Sequence, residues 1–252
     1  MGYKAIFSIL FLWSGLHAKF DEIKCRDFAR IQTSSYTLVN NVWGRKRVAG
    51  KYRECIFLKN SKGGWFWYFP YSPLVKAYPE AIYGKKFSRQ YNMKGVLPIK
   101  ISQLKKALIQ IDYDDFIKGR YNIAFESWVH KTSHSSMRDI AYEIMVRLDP
   151  KGVIPAKRFL FSKVTIDGIA FDVYKKRVKG RYFYNFVVNK KMKRITIDFK
   201  KILDYLKKYD KTCENIDNYY FNDVEMGVEV IYGKGELVLN KFDVNIVKKG
   251  AQ

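Results

Sequence analysis

Apolar and polar side chains alternate through most of this chain, broken every few residues by Gly, Pro, Asn, Asp or Lys, and that pattern restricts it to β-structure. Segments such as "ECIFLKN", "GWFWYF", "LIQIDYDDF", "RYNIAFESW", "AYEIMVRL", "VTIDGIAFDVYKKRV", "RYFYNFVVNK", "VEMGVEVIY" and "ELVLNKFDVNIV" have the length and period of strands. So many short strands between turn residues predict an all-β domain, a sandwich or jelly roll. One segment departs from the period. In "TIDFKKILDYLKKY" the apolar residues Phe199, Ile202, Leu203 and Leu206 follow helical spacing, lysines take the other face, and Asp198 can cap the first turn. A single amphipathic helix is expected over about 198–209. The 252 residues, 48% hydrophobic and 17% aromatic, suffice for one large core, and no linker or repeat divides them.

The first residues, "MGYKAIFSILFLWSGLHAKF", read as a secretory signal over 1–18. Lys4 precedes an apolar run from Ala5 to Leu16, and the small residue Ala18 offers a cleavage point. The run is short for a bilayer span, so the mature chain, 19–252, is expected to be exported with no stable membrane segment. An oxidising compartment would let Cys25 and Cys55 pair, leaving Cys213 free; three reduced thiols remain the alternative, which geometry decides. The net charge is +23, from 47 Lys plus Arg against 24 Asp plus Glu. The lysines are scattered along the chain instead of forming one arm or one recognition helix. They read as a solvated face, with specific nucleic-acid binding not expected and polyanion binding the weaker alternative. Nothing marks an interface, and a monomer is expected.

Side chains alternate across a strand, so parity sorts each run into two faces. In "AYEIMVRL" Glu143 shares a face with Ala141, Met145 and Arg147. In "YNIAFESW" Glu126 joins Asn122, Ala124 and Trp128, and in "VEMGVEVI" Glu225 and Glu229 join Gly227 and Ile231. Three strands thus each present carboxylates among small, aromatic or apolar neighbours. Such surroundings raise carboxyl pKa values, and two close carboxyls push theirs apart, as an acid and a nucleophile flanking a glycosidic bond require. Separations of roughly 5 to 5.5 Å suit retention of configuration and roughly 6.5 to 9.5 Å inversion. Parity alone favours the plainer reading, solvent-facing glutamates paired with lysines. His130 and His134, in a segment expected to be a loop, lack companions at metal-ligand spacing, so no metal is expected. No Gly-rich phosphate loop, Cys/His pairing or nucleophile elbow appears. Trp65 and Trp67 share a parity and fit either a sugar platform or packing between sheets.

Taken in order, "YTLVNNVWG", "VKAYPEAIYG", "IAFESW", "YEIMVRL" and "VEMGVEVIYG" make the chain resemble glycoside hydrolase family 12, above all its archaeal and thermophilic bacterial members, over about residues 25 to 247. The Cys25 and Cys55 spacing is also similar to a disulfide near the start of some fungal members. The resemblance implies a jelly roll of two curved antiparallel sheets and one helix, whose concave face binds a β-1,4-glucan. It implies a secreted, retaining endo-glucanase or xyloglucanase with a polysaccharide substrate and no cofactor. The family nucleophile motif maps onto "EIMVR", and so onto Glu143; the acid/base in "GTE" maps onto "GVE", and so onto Glu229. Glu126 maps onto an acidic partner of the nucleophile, Asn41 and Trp43 onto the glycone side of the cleft, and Met145 onto a cleft-lining methionine. Two departures stand out. Arg147 replaces the family Trp, and could keep Glu143 ionised, pair with it and blunt its attack, or contact an acidic substrate. Val228 replaces the threonine of "GTE". These changes keep open a non-catalytic polysaccharide-binding or structural jelly roll with a degenerate site.

Overall fold

The computed structural model describes residues 20–91 and 95–250. The expected signal, 1–18, lies outside the described residues. In chain order the strands are β1 (Glu22–Lys24), β2 (Arg30–Gln32), β3 (Thr37–Val39), β4 (Arg53–Lys59), β5 (Lys62–Phe69), β6 (Glu80–Lys86), β7 (Arg89–Gln90), β8 (Ile99–Lys100), β9 (Leu104–His130), β10 (Ile140–Arg147), β11 (Leu160–Ile166), β12 (Ile169–Val178), β13 (Arg181–Val188), β14 (Arg194–Asp198), β15 (Tyr220–Phe221) and β16 (Asp223–Lys248). One α-helix among the described residues, α1 (Phe199–Tyr209), follows β14.

Two segments that the sequence divides into separate strands are continuous. "LIQIDYDDF" and "RYNIAFESW" both belong to β9, and "VEMGVEVIY" and "ELVLNKFDVNIV" both belong to β16. The two long strands pair with each other along nearly their whole length and bend together where Gly119 opposes Gly233. Both glycines have positive φ, +132° and +104°. A Cβ on Gly119 would lie 2.2 Å from the Tyr232 carbonyl oxygen, and one on Gly233 would lie 2.1 Å from that of Lys118. Only glycine fits this approach of two backbones. A register shift between Val230 and Tyr232 adds to the bend.

The bend makes two layers. The first halves of β9 and the last of β16 join β1, β4, β5 and β14 in an outer sheet. Their other halves join β2, β3, β6, β10, β13, β12 and β11 in an inner sheet, antiparallel except for the β10–β13 pair. This is the expected jelly roll. Trp65 and Trp67 are 0% and 3% exposed between the layers, which settles them as packing residues. The helix begins at Asp198, whose carboxylate accepts the Lys200 N–H at 3.1 Å, and buries Phe199, Ile202, Leu203 and Leu206. Phe199 meets Phe125 of β9 and Phe221 of β15, with centroids 6.3 and 5.3 Å apart, so α1 covers the core side of the inner sheet. Cys25 and Cys55 form a disulfide closing 30 residues, a constraint worth about 3–4 kcal/mol against the unfolded chain.

Gly233→Ala should lower the unfolding free energy by about 2 kcal/mol or more, because a left-handed conformation and a backbone collision add. Urea unfolding, beside an alanine at exposed Gly250 as control, checks it.

Candidate active site

The concave face of the inner sheet carries the residues that parity grouped. Along β10, Glu143 lies opposite Trp128 of β9 and Phe183 of β13, Met145 opposite Glu126 and Asn185, and Arg147 opposite Ala124 and Val187. Along β16, Glu225 lies opposite Glu126, Gly227 opposite Ala124, and Glu229 opposite Asn122. These rows floor a cleft of about 890 Å³ to which Asn41, Trp43, Glu126, Glu143, Met145 and Glu229 all contribute. The structure therefore brings together every substrate-site residue expected from the sequence. Trp43 is 48% exposed, and the Arg47 guanidinium stands 4.6 Å over its ring, leaving the other indole face to a ligand. Met145 sulfur accepts from Asn122 at 3.3 Å. His130 is the exception to the loop reading, because it ends β9, buried, with Nδ1 at 3.1 Å from the Ser136 carbonyl.

Beneath the cleft lies a buried charge cluster that the sequence analysis did not identify. Lys86 of β6 is 2.6 Å from Glu225 and 2.9 Å from Glu80. Asn41 donates to Glu80 at 2.7 Å, which fixes that amide. Glu80, Glu126, Glu225 and Asp223 are all buried. Burial raises the carboxyls of Glu80 and Glu126 well above the usual range, and those of Glu225 and Asp223 to about 8. Burial also opposes the charge on Lys86, but Glu225, Glu80 and Glu126 more than restore it. One ammonium cannot balance so many carboxylates, so burial favours protons on some of them. The signal was present in "AYPEAIYGKK", where Tyr78, Glu80 and Lys86 share a parity.

Glu143 is pushed up to about 8, first by burial and then by the charges of Glu229 and Glu225; Arg147 and Lys86 pull the other way. Glu126 is raised by burial and then by Glu143, so these two carboxyls feel each other directly. Glu229 has different company. Its Oε2 accepts from Asn122 Nδ2 at 2.8 Å and lies 3.8 Å from Arg147 Nη2. Arg147 is anchored from behind, with Nε donating to Asn185 Oδ1 at 2.7 Å and Nη1 to the Val153 carbonyl. Of the three possibilities open from the sequence, the first holds in part, since Arg147 favours the ionised form of Glu143, but the arginine makes its ion pair with Glu229 and not with Glu143. Val228, at the other departure, is fully buried on the core face, so the lost hydroxyl leaves the cleft wall unchanged.

The family model for glycosyl hydrolase family 12 matches residues 34–247. The chain belongs to glycosyl hydrolase family 12. Relatives include endoglucanase S of Pectobacterium parmentieri, 26% identical, with 96% of this chain and 93% of the relative aligned. A probable xyloglucan-specific endo-β-1,4-glucanase A of Aspergillus clavatus is 23% identical over 88% of this chain and 90% of its own. Among solved structures, the family 12 xyloglucanase of Bacillus licheniformis superposes with a TM-score of 0.81 at 25% identity, covering 90% of this chain and 100% of the other. The chain is thus a family 12 glycosidase with a jelly-roll fold.

Buried carboxyls with raised pKa values hold protons that the unfolded chain has already lost. Their contribution to stability is full below the unfolded carboxylate range and is lost as pH rises through about 8. His130, lowered to about 4 by burial, acts oppositely below its unfolded value. The clean window is therefore pH 6.5 to 8.5, where stability should fall by on the order of 1 kcal/mol per pH unit for each such carboxyl. Urea midpoints across that window check this, and Glu225→Gln should flatten the slope.

Proposed function

We propose that this family 12 glycosidase is a secreted, endo-acting, retaining hydrolase of β-1,4-glucans, with Glu143 as nucleophile and Glu229 as acid/base. The observation that carries the reading is that Glu143 and Glu229 face one cleft and that Glu229 is the strongest charge acting on Glu143. Two carboxyls facing one cleft are the minimal machinery for cleaving a glycosidic bond. Ionised Glu143 attacks the anomeric carbon while protonated Glu229 gives its proton to the leaving oxygen. Glu229 then takes a proton from water, which attacks the same carbon and frees Glu143. Glu126, beside Glu143, orients it, and Trp43 and Trp128 offer ring faces to sugars. The neutral, hydroxyl-rich chain of a β-glucan suits a cleft lined by Asn41, Asn185, carboxyls and aromatic rings. The names of the endoglucanase and xyloglucanase relatives support this substrate class. Export is supported by the leader pattern and by the disulfide.

The protein from Lys19 onward should release reducing ends from carboxymethylcellulose, mixed-linkage glucan or xyloglucan. Glu143→Gln should abolish this, and Glu229→Gln should lower it by about 10²–10⁴-fold. Proton NMR of the first products should show the β-anomer. Binding without cleavage would instead establish the non-catalytic jelly roll, the reading that the Arg147 contact with Glu229 favours.

A further inference from the structure

We propose that the cleft is divided by charge, with neutral sugars over its acidic middle and anionic substituents of the polysaccharide held at its two ends by Arg30 on β2 and Lys176 on β12. The inference rests on the hydrolase reading above and deepens it, because it names the class of glucan as an acidic one.

The inner sheet runs in the order β2, β3, β6, β16, β9, β10, β13, β12, β11. Two rows of opposed residues cross its concave face. One row is Arg30, Val39, Glu80, Gly227, Ala124 and Arg147. The other is Trp128, Glu143, Phe183 and Lys176. Residues opposed in register share a face of the sheet, so Arg30 faces the same way as Glu80, and Lys176 the same way as Glu143. Both cations line the cleft.

Five cations line it in all, and three of them are matched by carboxylates. Lys86 meets Glu80 and Glu225, Arg147 meets Glu229, and Lys175 meets Asp210. Among the described residues, Arg30 and Lys176 have no carboxylate partner, and each lies against a ring instead. The Arg30 guanidinium stands 5.0 Å over Tyr91, and its Nη2 donates to the Tyr91 hydroxyl at 3.4 Å. Its Nε is buried and has no hydrogen-bond partner among the described residues. The Lys176 ammonium stands 5.4 Å over Phe159, and the Arg158 guanidinium lies 4.9 Å over the same ring, which adds positive charge at that end.

The carboxyls, by contrast, project from the central strands β6, β16, β9 and β10. Lys176 is two strand spacings from Glu143, ~10 Å, and Arg30 is five spacings away, ~24 Å. Both distances exceed the screening length of about 8 Å at physiological salt, so the acidic middle does not cancel the cationic ends. An anionic group over the middle meets carboxyls, whereas one at either end meets an unmatched cation.

The test compares kcat/KM on carboxymethylcellulose and on cellulose sulfate with that on neutral hydroxyethylcellulose. It uses the protein from Lys19 onward, Lys176→Gln, Arg30→Gln and the two combined. Lys105→Gln with Lys248→Gln, at exposed lysines of the outer sheet, is the control of equal charge. The preference for anionic over neutral substrate, carried by KM, should fall about fivefold in the combined cleft variant and change little in the control. Raising salt from about 0.01 M to about 1 M should erase the part of the preference that the cleft variant removes. Lys176→Arg, which keeps the charge, should keep the preference. The anionic substrate whose preference falls names the substituent. Because Lys176 is exposed, its single variant tests the inference independently of any effect of Arg30→Gln on folding. An equal loss on charged and neutral substrates, or an equal loss in the control, overturns the inference and leaves the proposed hydrolase intact. Cleavage of none of the three substrates overturns both.

Discussion

The joint bend of β9 and β16 is the constraint on which the rest depends. Each strand spends one half in the outer sheet and the other in the inner sheet, and their pairing continues through the bend with one register shift between Val230 and Tyr232. The register therefore places Glu126 beside Glu225 and Asn122 beside Glu229 with no freedom to slip, since a one-residue slip would send every one of these side chains into the core. The paired glycines make that bend possible. Rigid strands rather than loops carry the carboxyls, which suits a site whose geometry must persist.

Charge is distributed unevenly in this strongly basic protein. The chain carries +23 overall, yet Glu80, Glu126, Glu143 and Glu229 line the cleft and Glu225 lies buried beside Glu126. Lysines lie mostly outside, in exposed pairs such as Lys163 with Asp172 or Lys207 with Asp217, which contribute little individually. Lys86 is different, because it is buried and its ammonium meets two buried carboxyls. Removing a partner from such a group leaves uncompensated charge in a dry site, so the cluster stands or falls together.

Arg147 shows how one substitution changes a site without changing its fold. Ala124 and Gly227 are the small residues abreast of it on the neighbouring strands, and Tyr78 closes over them, its hydroxyl donating to the Ala124 carbonyl at 3.1 Å. Its guanidinium spans the floor from Asn185 to Glu229. A tryptophan would present a ring to a sugar at this position, whereas the arginine presents a charge to a carboxyl.

The period of two, the lone helical stretch and the parity of "AYEIMVRL", "YNIAFESW" and "VEMGVEVI" were legible in the chain, because alternation and 3.6-residue spacing are local properties of the backbone. The same locality let Glu143, Glu126 and Glu229 be grouped by face, and let Asp198 be read as a cap. Only the tertiary structure decided that four apparent strands were two, because a paired glycine bend looks like any turn until its partner is known. It decided that Trp65 and Trp67 pack inside, since parity orders faces without saying which face is covered. It brought Lys86 to Glu225 and Arg147 to Glu229, contacts across strands distant in sequence, which depend on register and on the parallel pairing of β10 with β13. Composition and period name the faces of a sheet; the order in which strands meet determines which charges lie on them together.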